Sequence, residues 1–363
     1  MWDYAPLLPV DDPAAAVTLD EGGTPLVRAQ AEWGCRLWLK DETRNPTGSH
    51  KDRALSVAIT RGRDLGFESC VIVSAGSTGL STAAYAARAG LRCALVAPRG
   101  TPDERLIPAA LYGARLFEAP GTFDDALRLV DRIARHERLY LTSTYRRGNP
   151  YQAEGARTIG FEIAAQLSEV AQAGAADWIV VPTGGGGTAA GIWRAYRELR
   201  DLAPRTRAAR LPRLVTVHPS RYNALEIALQ RGLHGDDALY ALGISEETPT
   251  VLAKLQHGVP PDARYALAAL RESGGAAVSV SDDEALAAQR RLAAFEGLFA
   301  EPSAAAALAG VQRLVDTGTI RPDDTVVAVV TGSGFREVGA LAGHAMVERT
   351  PLSADALVPF LAR

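Results

Sequence analysis

The chain has 363 residues, of which 47% are hydrophobic and 22% are charged, and its formal net charge is −3 at pH 7. That length predicts a substantial core in two lobes, and the charge balance argues against nucleic acid or an acidic membrane as a partner. Three scattered cysteines are too few for a disulfide framework or a metal site and indicate a reducing compartment. Since the N-terminus has no basic, apolar leader and no segment approaches the roughly 20 apolar residues of a membrane span, we expect a cytoplasmic protein.

Short apolar, β-branched runs alternate with longer helical patterns through most of the chain. Six runs predict buried strands: residues 70–73, 93–97, 139–142, 178–181, 214–217 and 326–330. Between them lie amphipathic segments such as residues 124–137, whose apolar stripe consists of Leu127, Val130, Ile133 and Ala134. This alternation predicts parallel α/β sheets covered by helices on both faces.

Local signals define two further segments. Ser281 followed by Glu284, ahead of an Ala- and Leu-rich run, is typical of a capped helix start. Residues 234–261 are polar, interrupted by Gly and Pro and weakly periodic, which predicts a loop-rich region.

Residues 45–53, Asn-Pro-Thr-Gly-Ser-His-Lys-Asp-Arg, are the first candidate site. Asn-Pro and Thr-Gly form turns, and the apolar periodicity after Arg53 predicts a helix. Lys51 therefore stands where a loop meets a helix start, and the positive end of the helix dipole helps to lower the pKa of its amine. A solvated lysine in a surface turn is the alternative, and the segment taken alone favours it.

Residues 74–79, Ser-Ala-Gly-Ser-Thr-Gly, follow a predicted strand and precede a predicted helix. A small-residue loop that enters a helix offers backbone N–H groups and hydroxyls to an anion, and a carboxylate fits such a nest as well as a phosphate. A plain strand-to-helix turn explains this loop equally well when it is taken alone.

Residues 183–188, Thr-Gly-Gly-Gly-Gly-Thr, also follow a strand and open a helix. Four successive glycines are costly to order, so the backbone must approach something closely or adopt positive φ, and a phosphate cradle is the favoured reason. The segment loosely fits a dinucleotide fingerprint, but that motif needs an acidic residue at the end of the next strand. That strand ends instead at His218, which disfavours the dinucleotide interpretation.

Residues 331–334, Thr-Gly-Ser-Gly, follow the last apolar strand. Thr331 places a hydroxyl at the carboxyl end of a strand, where open α/β sheets bind ligands. A strand-terminating turn is an equally good explanation of this motif alone.

Together, a lysine at a helix start, a carboxylate nest, a phosphate cradle and a strand-end hydroxyl describe a pyridoxal 5′-phosphate (PLP) site. Their order and spacing resemble the fold-type II PLP enzymes, and within them the threonine synthases and their relatives. The resemblance is carried by residues 40–53, 74–79 with 83–90, 296–305 and 331–334, and it runs from about residue 6 to residue 337. It implies a tryptophan synthase β-like α/β fold with two lobes of parallel-rich open sheets covered by helices.

The resemblance also implies a role for each loop. Lys51 would hold PLP as a Schiff base, be displaced by the substrate amine and then move protons at Cα. Thr331 would face the pyridine nitrogen, and its neutral hydroxyl would leave that nitrogen largely unprotonated. The implied cofactor contacts are completed by Ser77 at the 3′-oxygen and, at the phosphate, by Gly184, Gly185, Gly186, Gly187 and Thr188. The residues implied to bind the amino-acid substrate are Ser74, Ala75, Gly76, Thr78 and Gln152.

The implied domains are a large PLP-binding unit of residues 1–55 and 146–363 and a small mobile unit of residues 56–145 that carries the carboxylate loop. By analogy with fold relatives, we expect a homodimer that binds a small amino acid, with no metal, nucleic acid or membrane partner.

Three residues depart from the family pattern. Ser77 stands where Asn is usual, His50 where an aromatic residue is usual, and Gln152 where threonine synthases have an Arg that binds the phosphate of O-phosphohomoserine. The loss of that guanidinium removes a strong charge-assisted pair unless Arg146, Arg147 or Arg157 replaces it. The glycine loop also lacks the Asn residues typical of threonine synthases and is more similar to that of the ammonia-lyases.

Three functions therefore compete. The first is a threonine-synthase-like enzyme that converts O-phosphohomoserine to threonine and phosphate. The second is a serine/threonine ammonia-lyase or β-replacement enzyme with an unphosphorylated substrate, which Gln152 favours. The third, a non-catalytic binding protein, is disfavoured by the intact Lys51 and glycine loop.

Overall fold

The computed structural model describes residues 1–119, 123–143, 145–170, 175–203, 210–245 and 248–339. The strands in chain order are β1 Leu26–Arg28, β2 Arg36–Asp41, β3 Ser69–Val73, β4 Arg92–Pro98, β5 Arg115–Ala119, β6 Tyr140–Leu141, β7 Trp178–Pro182, β8 Arg213–Pro219, β9 Ala276–Val280 and β10 Thr325–Val330. The helices are α1 Lys51–Asp64, α2 Ser77–Ala89, α3 Asp103–Leu111, α4 Phe123–His136, α5 Tyr151–Glu169, α6 Gly187–Leu202, α7 Ala224–Gln230, α8 Asp236–Tyr240, α9 Ala263–Ser273, α10 Asp282–Glu296 and α11 Pro302–Asp316.

The strands form two sheets. The larger sheet has the order β1-β2-β10-β7-β8-β9, in which β1 is antiparallel to β2 and the other pairs are parallel. The smaller sheet has the order β5-β4-β3-β6 and is parallel throughout. The prediction of parallel α/β sheets is confirmed, and each of the six predicted strands is present.

The larger sheet is buried on both faces. Along β10, Val326, Ala328 and Val330 pack in one hydrophobic cluster, whereas Val327 and Val329 pack in another on the opposite face. Successive side chains of a strand point to opposite faces, so a strand covered on both sides must be apolar throughout. Helices α10 and α11 supply the first cluster, and helices α5, α6 and α9 supply the second.

Helix α1 connects the parts of the molecule that contain the two sheets. It packs against α2, which covers the smaller sheet, and against α5, which lies beside α6 on the larger one. The predicted domain limit between residues 55 and 56 falls inside this helix. The domain limits therefore stay a prediction, and residues 340–363 of the predicted large unit lie outside the described residues. Within the described part of the chain, no helix is long and apolar enough to cross a membrane.

Candidate active site

Lys51 is the first residue of α1, as predicted. The loop before it is joined to the turn that follows β10: the His50 N–H donates to the Thr331 carbonyl at 3.0 Å, and the Ser333 N–H donates to the Gly48 carbonyl at 2.9 Å. The Glu301 N–H donates in turn to the Gly332 carbonyl at 3.0 Å. Three segments that are distant in the sequence therefore meet at Lys51.

Asp52 joins the lysine loop to α2. Its carboxylate accepts hydrogen bonds from the Thr47 N–H, the Thr47 hydroxyl and the Ser81 hydroxyl, each at 2.6 Å. Burial raises the pKa of Asp52 to about 6, although these hydrogen bonds act in the opposite direction. Because Ser81 lies on α2, the contact sets the position of Lys51 relative to the carboxylate loop.

Arg53 anchors the start of α1 in the core. Its fully buried guanidinium binds the carboxylates of Glu42 at 2.7 Å and Glu162 at 2.6 Å. Lys40 also binds Glu162 at 2.7 Å, so two cations hold that carboxylate and, with burial opposing them, keep the pKa of Glu162 below its usual value. Within residues 40–53, Lys40, Glu42 and Arg53 therefore belong to a structural network that links α1 to α5 through Glu162.

The Lys51 amine has a lowered pKa. Burial is the main cause, and the nearby charge of Lys254 acts in the same direction, whereas Asp262 and Glu301 oppose it. Loss of the proton gives the nucleophilic free amine, the form that can attack a carbonyl carbon.

His50 is a neutral imidazole packed against the β10 turn. Its Nδ1 lies 3.0 Å from the Thr331 carbonyl oxygen, which can only accept, so Nδ1 carries the proton. Burial, with the charge of Lys51 second, lowers the pKa of His50 to about 3. The Thr331 hydroxyl, by contrast, has no hydrogen bond to another described residue and is free to meet a ligand.

The carboxylate loop enters α2 as predicted, but Ser74 has a role within the loop. Its hydroxyl accepts from the N–H groups of Gly76 at 3.2 Å and Gly79 at 3.0 Å. No side chain caps α2, which begins at Ser77. The N–H groups of Ser77 and Thr78 are therefore the donors at this helix start that an anion can use.

Arg336 is a functional candidate that the sequence motifs did not reveal. It lies just after the 331–334 motif, passes over Gly48 and donates from its guanidinium to the Ser77 hydroxyl at 2.9 Å. Within the described residues, no carboxylate pairs with this guanidinium, and its buried Nε has no partner. Arg336 thus brings a positive charge to the carboxylate loop.

Lys254 and Glu301 form a second charged group near that loop. The Lys254 amine binds the Glu301 carboxylate closely and lies 3.2 Å from Glu337. If Gly76 carried a Cβ, that atom would lie 3.8 Å from the Lys254 Cε. A Cβ on Gly184 would lie 2.7 Å from the Lys254 carbonyl oxygen. Lys254 therefore contacts both the carboxylate loop and the glycine loop.

The four glycines of the loop at residues 183–188 have different structural explanations. A Cβ on Gly184 would overlap the Lys254 carbonyl, Gly186 has φ of +90°, and a Cβ on Gly187 would lie 2.8 Å from Asp262. A Cβ on Gly185 would meet nothing closer than 3.9 Å, so packing within the chain does not explain that glycine. No side chain caps α6, and the open space beside Gly185 adjoins its uncapped N–H groups.

Arg146, Arg147 and Arg157 are the candidates to replace the guanidinium that is missing at position 152, and their surroundings differ. Gln152 is buried near the start of α5. The guanidinium of Arg157 pairs with Glu154 at 3.0 Å and with Glu198, so it is not available to a substrate phosphate. Arg146 stacks on Tyr265, 4.9 Å from the ring centre, and Arg147 is exposed.

Two parallel-rich sheets, with loops at their strand ends that meet around Lys51, give the chain the architecture of an α/β enzyme. The family model for "Pyridoxal-phosphate dependent enzyme" matches residues 17–332, and the chain belongs to that family.

Within the family, the chain is similar to threonine synthases. It is 38% identical to the threonine synthase of Methanosarcina acetivorans, over 92% of this chain and 79% of the relative. It is 34% identical to that of Halalkalibacterium halodurans, over 93% and 89%. Processed threonine deaminase isoform 2 from Solanum lycopersicum shares the fold, with a TM-score of 0.70 over 88% of each chain at 21% identity. The chain is thus a PLP-dependent enzyme of the lyase class with the fold-type II architecture, as predicted.

The residues present fit this cofactor. Gly185 leaves room at the uncapped start of α6 for a phosphate, and the lowered pKa of the Lys51 amine favours the free amine that can bind an aldehyde. Thr331 offers a hydroxyl to a pyridine nitrogen at the carboxyl end of β10.

Proposed function

We propose that this enzyme converts O-phosphohomoserine to threonine and phosphate. Similarity to threonine synthases over most of the chain supports this reaction. The observation that carries the proposal is the position of Arg336, whose guanidinium reaches Ser77 in the carboxylate loop without a carboxylate partner among the described residues. An amino acid with a second anionic group would find there the positive charge that Gln152 lacks.

The residues of the chain have separate roles in the proposed reaction. PLP, when bound, withdraws electrons from the bonds at the substrate Cα. The free amine of Lys51 removes and returns protons there, and the N–H groups of Ser77 and Thr78 bind the substrate carboxylate. The hydrogen bonds of His50 and Asp52 fix the residues on either side of Lys51. The assignment of the cofactor phosphate to residues 184–188 and of the pyridine nitrogen to Thr331 is part of this proposal.

A second candidate is supported by Gln152 and Arg157. With a neutral residue at position 152 and Arg157 held by two glutamates, the segment of residues 149–158 offers no guanidinium to a phosphate ester. An ammonia-lyase or β-replacement enzyme acting on serine or threonine needs no such group.

A substrate panel separates the two candidates. O-phosphohomoserine, threonine, serine and O-acetylserine are each supplied to the PLP-loaded enzyme, and phosphate, keto acid, ammonia and amino-acid products are measured separately. The proposal expects equal amounts of phosphate and threonine from O-phosphohomoserine. Ammonia with a keto acid from serine or threonine, without turnover of O-phosphohomoserine, would establish the second candidate.

The proposal includes a homodimer and a cytoplasmic location. The dimer rests on analogy with fold relatives, and the location is supported by the free thiols of Cys35, Cys70 and Cys93. Sedimentation of the purified protein tests the dimer.

A further inference from the structure

Asp262 is a buried acid with an unsatisfied oxygen. It is the N-cap residue of α9, but its side chain makes no capping bond to that helix. Its Oδ1 accepts from the Arg146 N–H at 3.2 Å, whereas Oδ2 has no hydrogen-bond partner within the described part of the chain. The residue is only 2% exposed. Because an unsatisfied buried carboxylate oxygen is costly, this position calls for a partner from outside the protein.

The unsatisfied oxygen points at the start of α6. Oδ2 lies 2.8 Å from the position that a Cβ on Gly187 would take. The backbone fixes this approach, since the Asp262 N–H donates to the Gly185 carbonyl at 2.8 Å. The carboxylate therefore lies beside the uncapped N–H groups of α6, where the helix dipole favours negative charge.

We propose that Asp262 controls entry of the cofactor phosphate: its carboxylate provides the negative charge at the α6 start until phosphate binds there, and it then takes up a proton. The inference rests on the proposed assignment of residues 184–188 to that phosphate. Once protonated, the Asp262 side chain donates a hydrogen bond to a phosphate oxygen instead of repelling it.

The sign of the pH dependence follows from the surrounding groups. Burial is the largest influence on Asp262 and raises its pKa, whereas Arg146 before α5, Lys51 on α1 and Arg264 on α9 favour its ionised form. A phosphate dianion adds a like charge and raises that pKa further. Cofactor binding therefore takes up a proton, and affinity falls as the pH rises between the two pKa values of Asp262.

Pyridoxine 5′-phosphate is the suitable probe, because it carries the phosphate but no aldehyde that could react with Lys51. Its dissociation constant is measured from about pH 5 to about pH 9, and Asp262→Asn supplies the contribution of the ligand phosphate's own titration, which is subtracted. The proteins compared are the unmodified apoenzyme, Asp262→Asn and the control Asp236→Asn, which makes the same change on the exposed surface of α8. Each is repeated with Lys51→Ala, so that titration of the lysine does not contribute.

Asp262→Asn is expected to bind pyridoxine 5′-phosphate on the order of tenfold more tightly, the factor that one pKa unit of coupling represents, and to flatten the pH dependence. Calorimetry in buffers of different ionisation enthalpy should show proton uptake in the unmodified protein and in Asp236→Asn but not in Asp262→Asn. Pyridoxine, which lacks the phosphate, should bind all three proteins equally. Unchanged or weaker binding of pyridoxine 5′-phosphate by Asp262→Asn would overturn the inference.

Gly185→Ala separates this inference from the assignment of the phosphate site. Its methyl group clashes with none of the described residues but fills the space beside the α6 start, so it should weaken binding of pyridoxine 5′-phosphate and leave binding of pyridoxine unchanged. If it weakens neither, the phosphate assignment fails. If it weakens the phosphate ligand while Asp262→Asn has no effect, the assignment stands and the role of Asp262 is wrong. Thermal unfolding of each apoprotein verifies that the variants fold.

Discussion

At the scale of single residues, burial has more influence on the charge of Lys51 than its helix position has. The helix start predicts a lowered pKa for the Lys51 amine, and that direction is correct. Burial is nevertheless the main cause, and two acids, Asp262 and Glu301, limit the shift. A burial effect of this kind depends on the tertiary fold, so the local sequence cannot predict it.

His50 should make the protein sensitive to acid. Its pKa falls from 6.5 to about 3 on folding, so the unfolded chain takes up a proton first as the pH drops. The stability present above about pH 6.5 is then lost at up to about 1.4 kcal/mol per pH unit. His50→Phe should reduce the difference in unfolding free energy between about pH 7 and about pH 5 by up to about 2 kcal/mol. Urea unfolding of the apoenzyme measures this, and an unchanged difference would contradict the assigned shift.

Arg336 should determine the affinity for a phosphorylated substrate. A charge-assisted contact contributes about 1.5–3 kcal/mol, so Arg336→Gln should weaken inhibition by inorganic phosphate about ten- to a hundredfold. The Michaelis constant for O-phosphohomoserine should rise by a similar factor. Arg290→Gln, on the exposed face of α10, is the control and should change neither value. Equal phosphate inhibition in both variants would remove Arg336 from the site.

The residues that the sequence motifs missed came together only through tertiary structure. Lys254 lies in residues 234–261, which the sequence predicts to be loop-rich, and Asp262 is the residue after that region. No periodicity marks either residue. Arg336 and Glu301 lie next to or within recognised motifs, and that adjacency was an available signal. The sequence attributes the whole glycine loop to phosphate binding, yet three of its glycines are required by the protein itself. Close contacts require Gly184 and Gly187, and a positive φ requires Gly186.

At the scale of secondary structure, prediction succeeded where burial was complete. The predicted strand 326–330 became β10, in which all residues are buried. The predicted helix 124–137 became α4, but Ile133 on its predicted stripe is exposed. Strand β5 was missed because most of it is exposed at a sheet edge, and β9 because its residues are small. The capping box at Ser281 is present as expected.

Gly155 sets the distance between α5 and α1. A Cβ at this position would lie 1.9 Å from the Arg53 carbonyl oxygen, so Gly155→Ala must separate the two helices. We expect a loss of about 1–3 kcal/mol in unfolding free energy and weaker PLP binding, because Lys51 moves with α1. Ala165→Gly, on the same helix, provides the comparison, since it should cost about 1 kcal/mol and leave PLP binding intact. Equal effects of the two variants on PLP affinity would contradict this geometry.

At the scale of the whole molecule, α1 couples the lysine to both sheets. Asp52 joins it to α2 through Ser81, and Arg53 joins it to α5 through Glu162. The turn after β10 adds a third attachment at His50. The loops therefore converge on Lys51 from both sheets, and the proposed chemistry requires that lysine to hold the cofactor.

Borohydride reduction of the PLP-loaded enzyme, followed by peptide mapping, tests this claim most directly. Reduction fixes the cofactor permanently to the amine that holds it. We predict a single modified peptide with the adduct on Lys51, and no adduct or activity in Lys51→Ala. An adduct on Lys254 or another lysine, with Lys51 unmodified, would contradict the account.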